Sequence, residues 1–133
     1  MRVLIWVMSL VCVGLSCRLC AAEVSRASIY YYSWDVQTVV SLSVDDVRGE
    51  PYIRIEIIDA TEAAQFARWL KARPFSKVSK KHSNDVRLVV DLVMSDGVVE
   101  TLYATKFEIY ANDGKTSSPL DDDFKGRFRL WRK

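Results

Sequence analysis

The sequence predicts an α+β domain: a mostly antiparallel sheet with one principal helix packed on one face, plus short helical turns. Two stretches, Tyr52–Ile58 and Val86–Met94, place apolar side chains at every second position, as half-buried strands do. The residues Ser95-Asp96-Gly97 follow the second stretch directly and predict a hairpin turn. One amphipathic stretch after Asp59 supplies the principal helix.

The first half of the domain holds three predicted strands. Ser28–Trp34 is aromatic, and Thr38–Leu42 is a short run rich in β-branched residues, both of which favour strands. Tyr52–Ile58 alternates, so that its isoleucines at 53, 55 and 57 share one face while Arg54 and Glu56 share the other. The residues before Ser28, 23–26, are predicted to be a loose lead-in.

The second half adds a hairpin and a final strand. After the turn at Gly97, Val98–Tyr110 returns as one long strand or two short ones, and Asn112-Asp113-Gly114 predicts a second turn. Arg127–Trp131 alternates arginine with apolar residues and is predicted to be the last strand. In the strand before Gly97, the alternation predicts Val86, Leu88, Val90, Leu92 and Met94 on one face and Arg87 and Asp91 on the other.

Helix starts are marked by capping residues. Asp59 and Glu62 have the spacing of a capping box, and an apolar stripe at helical spacing follows over Ala63–Leu70. Pro74 ends this helix, because the residue before a proline is disfavoured in the helical conformation. Shorter helical turns are predicted to begin at Ser43 and at Ser118, the latter with Pro119 at the first helical position.

The N-terminus has the order of a secretory signal peptide. Met1 and Arg2 form a positive head, and Val3–Leu15 is apolar apart from one serine and one glycine. Small residues before Ala22 suit cleavage after that residue. We therefore predict a cleavable signal peptide over residues 1–22, a single domain over 23–133, and export to the periplasm or the outside of the cell. The alternatives are a retained anchor and a lipoprotein attached at Cys17.

Cleavage would change the chemistry of the remaining chain. All three cysteines precede residue 23, so the mature domain would have no disulfide, thiol nucleophile or cysteine metal site. Loss of Arg2 and Arg18 from the 19 basic residues would leave 17, equal to the 17 acidic residues. A neutral mature chain gives no electrostatic reason to expect a nucleic-acid or anionic-membrane partner. We also predict no stable membrane insertion after cleavage.

The sequence shows no recognisable catalytic or cofactor motif. It contains no nucleophile elbow, no H-E-x-x-H pair and no phosphate-binding loop. Consecutive residues on a helix point about 100° apart, so Asp121-Asp122-Asp123 is predicted to lie at a helix start rather than to hold a cation. We predict no enzyme activity, no metal and no cofactor. A hydrolase built from scattered acidic residues is the third hypothesis for function.

Two surfaces are candidates for binding. The first is the polar loop that carries Lys77, Lys80, Lys81 and His82, the only histidine of the chain. A loop of about 12 residues in so small a domain is long, and such loops are often functional. Its lysines could enter an acidic cleft of a partner protein.

The second candidate is an aromatic stripe. In a regular strand, Tyr30, Tyr32 and Trp34 would share one face and Ile29 and Tyr31 the other. An exposed stripe could bind sugar rings or another protein, whereas a buried one would only pack the core. The sequence leaves both possibilities open.

The leading hypothesis from the sequence is an exported, non-enzymatic protein-binding domain of the bacterial envelope, with an inhibitor or immunity-type role as one form of it. The alternative is a module that binds envelope glycan or a small ligand through the aromatic strand 30–34. Neither the identity of the partner nor the oligomeric state follows from the sequence.

Overall fold

The computed structural model describes residues 22–81 and 83–130, with the backbone alone for 127–130. The three cysteines, residues 1–21 of the predicted signal peptide and His82 lie outside the described residues. The elements in chain order are β1 Val24–Tyr31, α1 Val44–Gly49, β2 Ile53–Ile57, α2 Ala60–Lys71, β3 Ser76–Lys77, β4 Leu88–Met94, β5 Val99–Ala104, β6 Glu108–Ala111, β7 Thr116–Pro119 and α3 Asp122–Leu130.

The strands form one antiparallel sheet in the order β2-β1-β4-β5-β6-β7-β3. β1 lies between β2 and β4, so residues distant in sequence meet in the middle of the sheet, and the predicted α+β class is confirmed. The turn at Gly97 joins β4 to β5 as predicted, and Gly97 has a φ of 87°. The region 98–110 forms two strands, β5 and β6.

The principal helix packs on one face of the sheet, which we call the helix face. Asp59 caps α2, because its carboxylate accepts the Glu62 N–H at 2.8 Å. The predicted apolar stripe of the helix is buried in the core on this face, mainly over β1. α3 joins this face through Phe124, whose ring stacks on Trp69 with centroids 5.1 Å apart. The largest buried residues of this core include Ile29, Phe66, Leu70, Leu88, Leu92 and Ile109.

The opposite face, which we call the open face, is only partly covered. The short helix α1 lies over β4 and buries Val47 against Val86 and Val89. Val86 therefore belongs to the open face and not to the predicted core side, because β4 begins after it at Leu88. Leu88, Val90, Leu92 and Met94 lie on the helix face as predicted.

A buried arginine holds the irregular segment 32–42 across one end of the open face. Arg87 is 1 % exposed and donates from Nε to Asp85 at 2.9 Å and from Nη1 to the Val36 carbonyl at 2.6 Å. Its guanidinium also lies 5.7 Å from the centre of the Tyr32 ring. These contacts replace strand pairing, so the predicted strand Thr38–Leu42 is wrong.

The C-terminal prediction is also wrong. Arg127–Leu130 belongs to α3, and Trp131 lies outside the described residues. The helix begins after Asp121, whose carboxylate accepts the Phe124 N–H at 2.7 Å. Ser118 and Pro119, predicted to start a helical turn, end strand β7 instead. The Asp121-Asp122-Asp123 triplet does lie at a helix start as predicted.

The predicted lead-in before Ser28 belongs to β1. Ser95 donates its N–H to the Glu23 carbonyl at 2.7 Å, so the chain is already tied to the β4–β5 turn at that point. β1 ends at Tyr31, three residues earlier than predicted. In the part of the chain that the structure describes, no helix combines the length and the apolar character that crossing a bilayer requires.

Two helix-start carboxylates predict an acid-dependent stability. The Ser43 backbone N–H and hydroxyl donate to Asp46 and lower its pKa. The Phe124 N–H, aided by Arg73, lowers the pKa of Asp121. A pKa that is lower in the folded than in the unfolded chain stabilises the fold above the unfolded value, about 3.9 for aspartate, and this contribution is lost as pH falls.

We therefore expect Asp46→Asn to flatten the loss of stability on acidification. Urea unfolding of the variant and the wild type at pH 7 and at pH 3 measures this difference. The midpoint should fall less for Asp46→Asn between the two pH values, because one of the ionised caps is no longer titrated. An equal fall in both proteins would contradict the role assigned to Asp46.

Candidate functional site

The predicted basic loop is partly tied to the sheet. Lys77 lies in β3, which pairs with β7, and the Val78 N–H donates to the Lys115 carbonyl at 3.0 Å. Lys77 and Lys80 are exposed. Lys81 is exposed as well, but its Nζ lies 3.4 Å from the Tyr103 hydroxyl and 5.5 Å from the centre of the Tyr110 ring. Only Lys77 and Lys80 of the described loop lysines therefore extend freely enough to meet a partner.

Lys81 belongs to a polar cluster on the open face. Tyr103 and Tyr110 stack with centroids 5.0 Å apart, and the Tyr110 hydroxyl donates to Glu108 at 2.6 Å. Gly114 passes so close to Tyr103 that an added Cβ would lie 2.7 Å from its hydroxyl. Tyr110 is fully buried, so this cluster joins the 74–85 loop to the sheet and offers little surface to a ligand.

The predicted aromatic stripe does not form one surface. Tyr30 and Tyr32 lie on the open face, packed against the cluster around Val47. Trp34 follows the end of β1 in a turn and is buried in the other core, with its ring 5.4 Å from Tyr31 in an edge-to-face arrangement. The prediction that the three share a face is wrong for Trp34, because the strand ends before the alternation reaches it.

One cleft, of about 760 Å³, lies between the 34–37 segment, the β5–β6 turn and the start of α3. Trp34 lines it but is only 5 % exposed, so its ring is not available for stacking against a sugar. The charges on the described walls have both signs: Asp35 and Asp122 against Lys106 and Lys125. This cleft has an exposed aromatic ring, Phe107, and as many acidic as basic side chains on its described walls. These features do not indicate which class of ligand would bind there.

A second concavity, of about 400 Å³, lies on the open face where α1 does not cover the sheet. We call it the sheet groove. One of its walls is a row of four residues that lie side by side across the sheet. Arg26 pairs with Val93, and Val93 pairs with Val99. Ile58 directly follows β2 and lies beside Arg26, because the preceding Ile57 pairs with Ala27. The lining residues are Arg26, Ser28, Tyr30, Arg54, Glu56, Ile58, Asp91, Val93 and Val99.

The row is unusually apolar for an uncovered sheet face. Ile58 is 80 % exposed and Val99 is 52 % exposed, and Val93 between them is half-buried. Arg26 is exposed in the middle of this row. Apolar patches rimmed by polar residues mark interaction sites in soluble proteins.

The acidic residues of the sheet groove already have partners. Arg48 of α1 donates to Asp91 from Nε at 2.8 Å and from Nη2 at 2.7 Å, and Thr101 donates to the same carboxylate at 2.6 Å. The charge-assisted bond to Asp91 raises the pKa of Arg48. These bonds fix α1 beside the groove and neutralise one of its two carboxylates.

Glu56 is held in the same way by Ser28 and Arg54. Partial burial raises the pKa of Glu56, but the hydrogen bonds from Ser28 at 2.6 Å and from Arg54 at 2.8 Å, with the charges of Arg54 and Arg26, hold it below its ordinary value. Both carboxylates are therefore engaged by donors of this chain. The exposed Arg26 and the apolar row are what remain for a ligand to contact.

This groove is not among the surfaces predicted from the sequence. Val93 and Val99 are close in the chain, but Ile58 is distant from both, and only the pairing of β1 with β2 and with β4 aligns it with them. One feature of the sequence does indicate it. The alternation that directs Leu92 toward the helices also directs Val93 toward the opposite face, where a polar residue is the usual choice.

Residues 22–81 and 83–130 bring together no group of three or more histidine, cysteine, aspartate or glutamate side chains that could hold a metal ion. No family model, curated protein or solved structure matches this chain.

Proposed function

We propose that this protein is an exported, non-enzymatic protein-binding domain of the bacterial envelope, and that the sheet groove holds its partner. The observation that carries the proposal is the apolar row of Ile58, Val93 and Val99 on the part of the open face that α1 leaves uncovered. Burying such a row would contribute roughly 25 cal/mol for each Å² of apolar surface removed from water. Export is supported by the signal-like N-terminal sequence.

The charges of the groove indicate what the partner presents. Arg26 is exposed within the apolar row, whereas Asp91 and Glu56 are occupied by donors of this chain. A partner segment that carries a carboxylate between apolar side chains would match both features. An inhibitor or immunity-type protein would use such a surface to cover an acidic region of its target.

The state of the carboxylates favours binding over catalysis. A general acid at neutral pH needs a raised pKa, and the pKa of Glu56 is lowered. Asp91 accepts three hydrogen bonds from Arg48 and Thr101. The two acidic groups of the groove are thus arranged as structural ion pairs and not as proton donors.

The glycan alternative has less support, since the ring of Trp34 is buried and Tyr30 and Tyr32 are half-buried on the opposite face. The loop alternative keeps Lys77 and Lys80 as its exposed cations. The experiment below distinguishes both alternatives from binding in the sheet groove.

We expect the double variant Arg26→Glu, Val99→Thr to fold and to lose its protein partner. Threonine keeps the β-branched shape of valine but removes apolar surface, and both positions are exposed enough for stability to change by less than about 1 kcal/mol. The assay is affinity capture from envelope extract with quantitative mass spectrometry. The matched control is Lys77→Ser, Lys80→Ser, which changes the loop and leaves the groove intact.

The proposal predicts a protein that is retained by the wild type and by the loop variant but not by the groove variant. Loss from the loop variant alone would move the binding surface to the predicted basic loop. Equal retention by all three proteins, or retention only of envelope polysaccharide, would contradict a protein-binding groove.

A further inference from the structure

The free edge of the sheet has a self-complementary sequence. β2 is an end strand, and among the described residues β1 alone pairs with it. Its sequence with its two neighbours is Tyr-Ile-Arg-Ile-Glu-Ile-Ile over residues 52–58. Arg54 and Glu56 lie at equal distances on either side of Ile55, and Tyr52 and Ile58 lie at equal distances further out.

We infer that β2 pairs antiparallel with β2 of a second copy of this chain, around a two-fold axis at Ile55. This inference goes beyond the proposed function and concerns the edge of the sheet, which shares Arg54, Glu56 and Ile58 with the sheet groove. In this register Arg54 lies opposite Glu56 of the second copy, and Glu56 lies opposite its Arg54. Directly opposite side chains of opposite charge stabilise an antiparallel pair.

The same register also brings apolar side chains of β2 opposite apolar side chains of the second copy. Ile55 meets its own counterpart, and Ile53 meets Ile57 of the second copy, all on the helix face. Ile53 and Ile55 are only half-buried in the single chain, so pairing would cover apolar surface that the core leaves open. On the open face Tyr52, which is 61 % exposed, meets Ile58, which is 80 % exposed. Two of the most exposed apolar side chains thus cover each other.

The backbone of β2 is oriented for this pairing. The Tyr32 N–H donates to the Arg87 carbonyl, which lies on the β4 side of β1. At this end of β1, the N–H and C=O groups of even-numbered residues therefore point toward β4, and those of odd-numbered residues point toward β2. Ile55 pairs with the odd-numbered Ile29, and its backbone groups therefore point toward β1. The backbone groups of Arg54 and Glu56 point outward, where a second strand would bond them.

The helices leave room for the second copy. α2 packs mainly over β1. With strands about 4.8 Å apart, β1 and its counterpart would be separated by roughly 14 Å across the two β2 strands. Packed helices need only about 8–10 Å between their axes, so the two copies of α2 fit on the same face without a clash.

Charge reversal tests the register directly. Arg54→Glu alone, or Glu56→Arg alone, places like charges opposite each other at both symmetric positions, and we expect each to weaken dimerisation at least about tenfold. An equimolar mixture of the two variants should form a heterodimer, because every opposing pair is again of opposite charge. Native mass spectrometry of the proteins purified from cells expressing the full chain gives the masses of all species.

The bond between Arg54 and Glu56 within one strand cannot produce this result, because each single variant breaks it and mixing does not restore it. Circular dichroism checks that both variants fold. Should one of them fail, amide exchange of Arg54 and Glu56 in the wild type at two protein concentrations decides instead, with protection expected only at the higher one. A monomeric wild type, a homodimer of either variant as strong as the wild type, or a mixture without heterodimer would overturn the inference.

Discussion

Replacing Arg87 by methionine should destabilise the domain by about 3–5 kcal/mol, as breaking one partner of a buried ion pair does. Arg87 is 1 % exposed and is bound to the Asp85 carboxylate and to the Val36 carbonyl. Methionine retains most of the side-chain volume but removes the donor to the Val36 carbonyl and leaves Asp85 with the Leu42 N–H in place of the guanidinium. Urea unfolding at pH 7 measures the loss of stability.

The control for Arg87→Met is Arg68→Met, the same substitution at an exposed arginine of α2. Arg68→Met should lower the free energy of unfolding by less than about 1 kcal/mol, since this substitution removes only a cation from the last turns of a helix. Equal destabilisation by the two variants would show that Arg87 does not hold the 32–42 segment to the sheet.

Leu92→Ala should cost about 2–5 kcal/mol, because it leaves a cavity in a closely packed core. Leu92 is fully buried between β1 and β5 and belongs to the core under α2. The matched control is Val98→Ala, where the side chain is 60 % exposed and little should change. If both variants had the same denaturant midpoint as the wild type, the assignment of Leu92 to the buried helix face would be contradicted.

Local patterns predicted those parts of the fold that depend on neighbours in the chain. The alternation of isoleucines around Arg54 and Glu56 gave the faces of β2. Asp59 gave the start of α2, since a cap and an apolar stripe at helical spacing need no information from the rest of the chain. The turn at Gly97 gave the β4–β5 hairpin.

The errors occurred where one short pattern fits two structures. Arg127–Leu130 alternates like a strand, but the cap at Asp121 and the stacking of Phe124 on Trp69 favour a helix. A run of four residues is too short for periodicity to distinguish them. The prediction that Trp34 shares a face with Tyr30 and Tyr32 extends the alternation past Tyr31, where β1 ends.

The sheet groove depends on contacts that no local pattern contains. The bonds of Arg48 to Asp91 join residues 43 positions apart, and they place α1 so that it covers one end of the open face and not the other. The apolar row appears only when Arg26, Val93 and Val99 are aligned by strand register. Sequence patterns give the face of each side chain, but not which part of a face stays uncovered.

Site-specific photocrosslinking tests the central claim, that the sheet groove is the surface that binds a partner protein. A photoreactive amino acid is incorporated at Val99 in one version of the full chain and at Lys80 in another, and cells expressing each are irradiated. The account predicts a covalent adduct with another protein, of a mass other than twice the chain, from position 99 and none from position 80. Adducts from position 80 alone, or none from position 99, would contradict it.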